Sequence, residues 1–299
     1  MPADRDTPDR VGGPVTVETT LRYEPPLDWQ GLLDWYRFHA LDGVEVVDDD
    51  RYRLALALPH GSALVELRDD PGQDRLAARL ELADATDHDA AVAVLRRMLD
   101  LDTDPAEVDA HLRTVPVLAP LVARRPGIRL PGTPTPFEAV LRAVTGQQVS
   151  VAAGLTQLHR LVAEVGTPSA EVGALQPFPG SAAVHPFGTG WYHGTRSRRR
   201  ALEGVLDLAA DGGLDPGLDP EATGAALHAV WGVGAWTVAS TLMRGHGAAD
   251  VDLRGDRALV VALERLTREV DLPDVLRPAS PWRSYAALHL WTARPLGSR

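Results

Sequence analysis

An α+β fold is what this sequence predicts: an amino-terminal antiparallel β-sheet domain with helices, followed by mostly α-helical domains that contain a helix, a glycine hairpin and a helix. Three observations carry the prediction. Val15, Val17, Thr19, Leu21 and Tyr23 alternate with a period of two, as on a half-buried strand. Further apolar runs separated by turn signals fill the first hundred residues. Past residue 104 helix caps and helical periodicity take over.

In chain order, the polar stretch over residues 1–14 reads as a disordered tail, and residues 15–103 as the α+β domain. Within that domain Leu27 to Ala40 reads as a helix carrying Leu32, Leu33, Tyr36 and Phe38. Arg51–Leu58, Ser62–Arg68 and Arg75–Leu82 read as strands, set apart by Pro59-His60-Gly61 and Asp69-Asp70-Pro71-Gly72. Asp87 is placed to cap a helix running to about Leu101. Residues 104–299 read as the helical region, two subdomains with a cleft between them. There Thr135-Pro136 is a cap followed by proline at the first helical position, and Ser150 starts a second helix. Arg196–Ala210 and Glu221–Ala229 follow, Asp256 heads RALVVALERL, and Ser280-Pro281 repeats the cap-plus-proline signal before a last helix. No repeat of solenoid period is present.

Composition narrows the chemistry. The chain has 299 residues, 44% of them apolar and 24% charged, values of a globular protein with a full core. No apolar stretch approaches a membrane span and the amino terminus lacks a signal-peptide core, so an intracellular, cytoplasmic protein is expected. Absence of cysteine excludes disulfides, thiol nucleophiles, thiolate zinc and a cysteine-ligated iron–sulfur cluster. Lysine is absent too, all 30 basic residues being arginine, so no lysine Schiff base can form. Ten histidines show no His-x-x-x-His pairing. The net charge of −11 is the wrong sign for an obvious nucleic-acid binder. Screening over roughly 10 Å nevertheless lets a local patch such as Arg196, Arg198, Arg199 and Arg200 act on its own.

Three features point to chemistry, each with a plainer alternative. Gly232-Val233-Gly234 opens into an apolar helix, and a helix amino terminus offers unpaired N–H groups to a phosphate. Glycines also simply end helices. Asp256, beyond that helix, is either the cap of the next helix or an acid acting on a nucleotide held nearby, and the two roles are compatible. Val144–Ser150, containing Gln147 and Gln148, is either a polar connector or a loop whose adjacent amides fill the gap left by an extruded base. Seven tryptophans against four phenylalanines add a fourth signal. Core packing is the default for each, but Trp236 and Trp282, near helix starts, are placed to line a pocket for a flat, electron-poor ligand.

Taken together, five blocks in order resemble the helix-hairpin-helix superfamily of DNA glycosylases, and within it the 3-methyladenine DNA glycosylase II family. They are Tyr23–Trp29, Arg125–Gly132, Phe137–Ser150, Gly232–Thr237 and Pro281–Trp291, and the similarity runs from about Thr20 to Ala293. The resemblance implies that Asp256 is the catalytic aspartate. It implies that Trp236, Trp282 and Ser240 line the base pocket and that Gln147 and Gln148 form the wedge in DNA. It further implies that Gly232, Val233, Gly234 and Thr237 grip the DNA backbone, with a monovalent cation at the hairpin shared with the phosphate. No cofactor is required on this reading. The partner is double-stranded DNA containing alkylated bases, acted on by a monomer.

Departures from the family pattern bear on substrate range. Trp231 stands where proline usually precedes the hairpin, Ser240 where a pocket tyrosine occurs, and Arg254-Gly255 where proline and another acid occur. His185–Thr195 does not match well. The expected activity is hydrolysis of the N-glycosidic bond of N3- and N7-methylated purines, without lysine-dependent lyase chemistry. A non-catalytic module for distorted duplex, or a glycosylase for another purine lesion, are the alternatives.

Overall fold

The computed structural model describes residues 14–70, 72–166, 175–267 and 269–293. The tail expected over residues 1–14 lies outside them except for Pro14. Five strands, β1 (Val15–Arg22), β2 (Glu45–Val47), β3 (Arg51–Leu58), β4 (Gly61–Asp70) and β5 (Arg75–Leu82), form one antiparallel sheet in the order β1-β5-β4-β3-β2. Helix α1 (Trp29–His39) and helix α2 (His88–Met98) cover the sheet. Then follow α3 (Pro105–Leu112), α4 (Ala119–Arg124), α5 (Pro136–Gly146), α6 (Val151–Val165), α7 (Ser181–Phe187), α8 (Arg196–Ala210), α9 (Pro220–Ala229), α10 (Ala235–His246), α11 (Arg257–Leu266), α12 (Leu272–Ala279) and α13 (Arg283–Thr292). No helix among the described residues is long and apolar enough to cross a membrane.

Local rules account for most boundaries. Asp28 caps α1 by accepting from the Gly31 N–H at 3.0 Å. Thr135, Ser150, Thr195 and Asp219 cap α5, α6, α8 and α9 in the same way. Two expected caps are corrected. Asp87 occupies the cap position of α2 but its carboxylate accepts from His60, at 3.0 Å from the backbone N–H and 2.8 Å from Nδ1. Ser280 donates its hydroxyl to Asp250 at 2.8 Å, and α13 starts three residues later at Arg283 with Trp282 as an uncapped boundary. Strand β2 and helices α3, α4, α7 and α12 were not expected; each is short, and its apolar residues are too few to define a period.

Three large apolar clusters organise the described residues. One lies between the sheet and α1 and α2, including Leu33, Tyr52, Val65, Leu80 and Leu95. A second joins α5, α6 and α8 through Val140, Leu161 and Leu202. The third gathers α3, α4, α11, α12 and α13 through Leu112, Leu259, Leu276 and Leu288. Helix α10 belongs to two of them: Val238 faces the second, Ala239 and Met243 the third. It also crosses α5 so closely that a Cβ on Gly245 would fall 2.7 Å from Pro136 Cα, which explains a glycine inside a helix.

A buried ionic network ties the sheet domain to α5. Arg142 reaches Glu138 at 2.7 Å and Glu45 at 2.9 Å, and Tyr52 donates to the other oxygen of Glu45. Both partners of each pair are nearly dry, so the carboxylates raise the guanidinium's hold on its proton although burial works against it. Arg97 adds a second tie without a carboxylate partner, its guanidinium donating to the carbonyls of Thr133 at 3.0 Å and Gly245 at 2.6 Å.

His289 on α13 is 1% exposed and neither ring nitrogen has a hydrogen-bond partner. Burial, then Arg125 and Arg113, push its imidazole down to about 4 from the ordinary 6.5. Between those values the unfolded chain binds a proton that the folded chain refuses. Its contribution is therefore intact above pH 6.5 and is lost as pH falls towards about 4, at up to about 1.4 kcal/mol per pH unit. Urea unfolding of wild type and His289→Leu at several pH values checks this: the difference between them should move in favour of the variant as pH drops through the window. Parallel stability–pH curves would contradict it.

Candidate active site

Asp256 is the cap residue of α11, its Oδ1 accepting from the Leu259 N–H at 2.9 Å. The carboxylate therefore sits on the positive end of that helix. It is 7% exposed, and two indoles close on it. Trp236 Nε1 donates to Oδ2 at 2.9 Å and Trp291 Nε1 approaches Oδ1 at 3.4 Å. Three N–H groups thus point at one carboxylate, which has room for about four. The remaining acceptor capacity is what a ligand or a water could use.

The loop that carries Asp256 is fixed from α13. Ser284 Oγ donates to the Ala248 carbonyl at 2.6 Å and accepts from the Val251 N–H at 3.3 Å. Arg283 grips the Asp250 carboxylate at 2.6 and 3.0 Å. Behind Trp291 stands Trp35 of α1, ring centroids 5.6 Å apart, with His39 stacked on Trp35 at 4.5 Å. The Trp35 Nε1 is buried without a partner. Burial pushes the His39 imidazole down to about 3, with Arg244 adding to the effect, so the stack is neutral. The Arg244 guanidinium lies 5.4 Å from the Trp35 ring centre.

Helix α10 supplies one wall. Trp236, Ser240 and Arg244 recur at four-residue spacing and share a face, all partly buried. Trp282 packs against the same core cluster as Trp236, Trp291 and Trp35. Its ring contact, however, is edge-on with Tyr285 at 5.7 Å. The indole that joins Trp236 at the carboxylate is Trp291. Trp291 was legible only as part of a matching block, and Trp35 carried no signal beyond its place on the apolar face of α1.

At the hairpin the chain turns at Gly232, with φ of +82°, and the Val233 N–H donates to the Val230 carbonyl at 3.2 Å. Only a residue without a Cβ takes that φ freely. Gly234 is the cap position of α10, has no side chain to cap with, and faces open space. The first N–H groups of α10 consequently have no intrahelical acceptor. Two expected contributors are turned inward. Val233 is buried, and Thr237, 1% exposed, accepts the Gln147 amide on its Oγ1 at 2.6 Å. Neither side chain reaches solvent, so the hairpin presents backbone.

That bond also separates the two glutamines. Gln147 is held by Thr237 through its amide and by Arg198 through its carbonyl. Gln148 is exposed, in the left-handed region with φ of +55°, and exposed Val149 follows it. The two neighbouring amides thus have different surroundings, Gln147 bound within the fold and Gln148 at the surface. The apolar side chains of Val149 and Val151 beside Gln148 were not anticipated. Among the described residues no three His, Cys, Asp or Glu gather as a metal site.

The cap and the carboxylate function can be separated by stability. Asp256→Ala removes the acceptor for the Leu259 N–H and should cost about 0.5–2 kcal/mol, whereas Asp256→Asn keeps a capping oxygen. Thermal unfolding should therefore rank wild type, Asn, Ala in falling order. An alanine variant as stable as the asparagine variant would show that the carboxylate does not cap α11.

Comparison with known proteins places this geometry. The AlkA N-terminal domain family matches residues 18–134. The chain is 35% identical over 288 residues to the probable bifunctional transcriptional activator/DNA repair enzyme AlkA of Mycobacterium tuberculosis. That match takes in 93% of this chain and 57% of the relative, so the chain spans little more than half of that protein. It is 30% identical over 278 residues to DNA-3-methyladenine glycosylase 2 of Escherichia coli, covering 91% of this chain and 96% of that one. Among solved structures, 3-methyladenine DNA-glycosylase from Archaeoglobus fulgidus shares the fold with a TM-score of 0.77 at 19% identity, over 91% of this chain and 97% of that one. A sheet domain followed by helices, an acid at a helix start among indoles, and a full-length match to the Escherichia coli protein make this chain a member of the DNA-3-methyladenine glycosylase 2 family.

Proposed function

We propose that this chain hydrolyses the N-glycosidic bond of alkylated purines, N3- and N7-methylated bases among them, in double-stranded DNA, and that it does so with water alone. One observation carries the proposal: the Asp256 carboxylate is fixed by three N–H groups and walled by the indoles of Trp236 and Trp291. A methylated purine carries positive charge and is already a good leaving group, so a strong general acid is not needed. The indole faces attract a cationic ring by about 0.5–2 kcal/mol each. The sugar becomes an oxocarbenium ion as the bond breaks. A carboxylate about 4 Å from it, at an effective dielectric near 20, contributes roughly 4 kcal/mol, on the order of a thousandfold in rate. Its unclaimed acceptor site orients the attacking water towards the anomeric carbon.

The remaining parts serve an extruded nucleotide. The open N–H groups of α10 hold a phosphate of the lesion strand, and Gln148 enters the space the base leaves, with Gln147 as its anchor. Ser240, on the face of α10 that carries Trp236, leaves room beside the base. The hairpin also suits a monovalent cation shared with that phosphate, since residues 230–237 offer neutral backbone oxygens and no carboxylate. A chain without lysine has no side-chain amine for Schiff-base lyase chemistry, so the reaction stops at base release.

Incubation of the protein with methylated DNA, with released bases separated by chromatography, tests the reading. Wild type should free methylated purines, and Asp256→Asn should free them about a thousandfold more slowly while still binding the DNA. Release by the variant at the wild-type rate would remove Asp256 from the reaction. No release by wild type would leave a DNA-binding module.

A further inference from the structure

Trp231 is 51% exposed, the most open of the large apolar side chains among the described residues. An indole in water forfeits the burial that usually justifies it. It lies directly before Gly232 and carries the Arg200 guanidinium over its ring at 4.5 Å. Arg200 belongs to a run at the start of α8, Arg196, Arg198, Arg199 and Arg200, none of which meets a carboxylate within ion-pair distance among the described residues. Several exposed arginines elsewhere do meet a carboxylate, Arg37 with Asp34 at 2.7 Å and Arg79 with Glu81 at 3.1 Å. Within the run, Arg198 is bound to Tyr192 and the Gln147 carbonyl, and Arg199 to the carbonyls of Thr189 and Tyr192. Arg196 and Arg200, four residues apart on one face, keep their charge for solvent.

The position of this pair is fixed by two contacts. A Cβ on Gly232 would meet the Ala201 Cβ at 3.1 Å, so the first turns of α8 press on the hairpin. Arg198 bonds the backbone of the Gln147 loop, so the same turns reach the wedge. Uncompensated cations and a bare indole therefore stand between the two elements that the proposed function assigns to DNA.

We propose that Trp231 and Arg200, backed by Arg196, form a second grip on the DNA backbone beside the hairpin. This rests on the DNA reading above and extends it. The guanidinium takes a phosphate next to the one held by the hairpin, and the indole face packs on the deoxyribose between them. Stacking on Trp231 holds the Arg200 fork in place before DNA arrives, which lowers the ordering cost of the contact. Such a grip reads no sequence and draws its strength from charge, so it is salt-sensitive.

The test is binding of the full chain to two duplexes, one with a tetrahydrofuran abasic analogue and one undamaged, across about 50–200 mM KCl. Arg200→Ala should weaken both duplexes alike, about three- to tenfold, and make the slope of log affinity against log salt shallower by about one. Trp231→Ala should weaken both to a similar degree with a smaller change in slope. The double variant should lose less than the product of the two single losses, because Trp231 acts partly through Arg200. Both side chains are exposed, and unfolding curves identical to wild type confirm intact variants. Wild type that binds while both variants match it in affinity and slope overturns the grip alone, as does weakening confined to the abasic duplex. Wild type that binds neither duplex overturns the grip and the DNA reading together.

Discussion

The site depends on one arrangement: a carboxylate held at a helix start by a backbone N–H and two indole N–H groups. Each donor fixes where the carboxylate points. Trp236 arrives from the helix that opens at the hairpin, Trp291 from the last helix, and Leu259 from the helix that Asp256 itself caps. Hairpin, indoles and acid therefore share a frame. Helix α10 has its open first N–H groups at one end and its Trp236 side chain within the first turn, so the hairpin and the carboxylate are tied to the same helix.

The sheet domain is part of that frame. Its helix α1 places Trp35 behind Trp291, with His39 neutral beneath it. The Arg142 network and the Arg97 contacts hold this domain against α5 and α10. Removing one partner of such a dry pair is costly because the other charge stays buried. The network thus fixes the relation between the sheet domain and α5, and α1 of that domain backs the indole that meets Asp256. The acidic total of the chain is similarly partitioned. Many carboxylates of the sheet domain pair with arginines of their own strands, whereas the arginines of α8 meet none.

Much of this was legible in the sequence. Alternation located β1, turn signals set apart β3, β4 and β5, and cap residues located α5, α6 and α11, because these signals are local and backbone-determined. The hairpin and Trp236 were legible because they adjoin at the start of one helix, and Asp256 because it stands in the cap position of the next. The rest depended on tertiary packing. Gln147 and Gln148 look equivalent as neighbours, and only the position of Thr237 on another helix shows that one is an anchor. Trp291 was marked only as part of the last matching block, and the approach of α13 to α11 is what brings its indole to Asp256. Trp35 lies far away in sequence from everything it supports, so no local pattern marks it.

Stabilisation of a developing positive charge on the sugar by Asp256 is the claim on which the account turns. It is tested most directly by affinity for duplexes carrying either a cationic pyrrolidine or a neutral tetrahydrofuran in place of the target deoxyribose. Wild type should prefer the cationic ring by a large factor, and Asp256→Asn should lose that preference while binding the neutral ring as before. A preference that survives the substitution unchanged would show that the charge is met elsewhere and that the carboxylate only caps its helix.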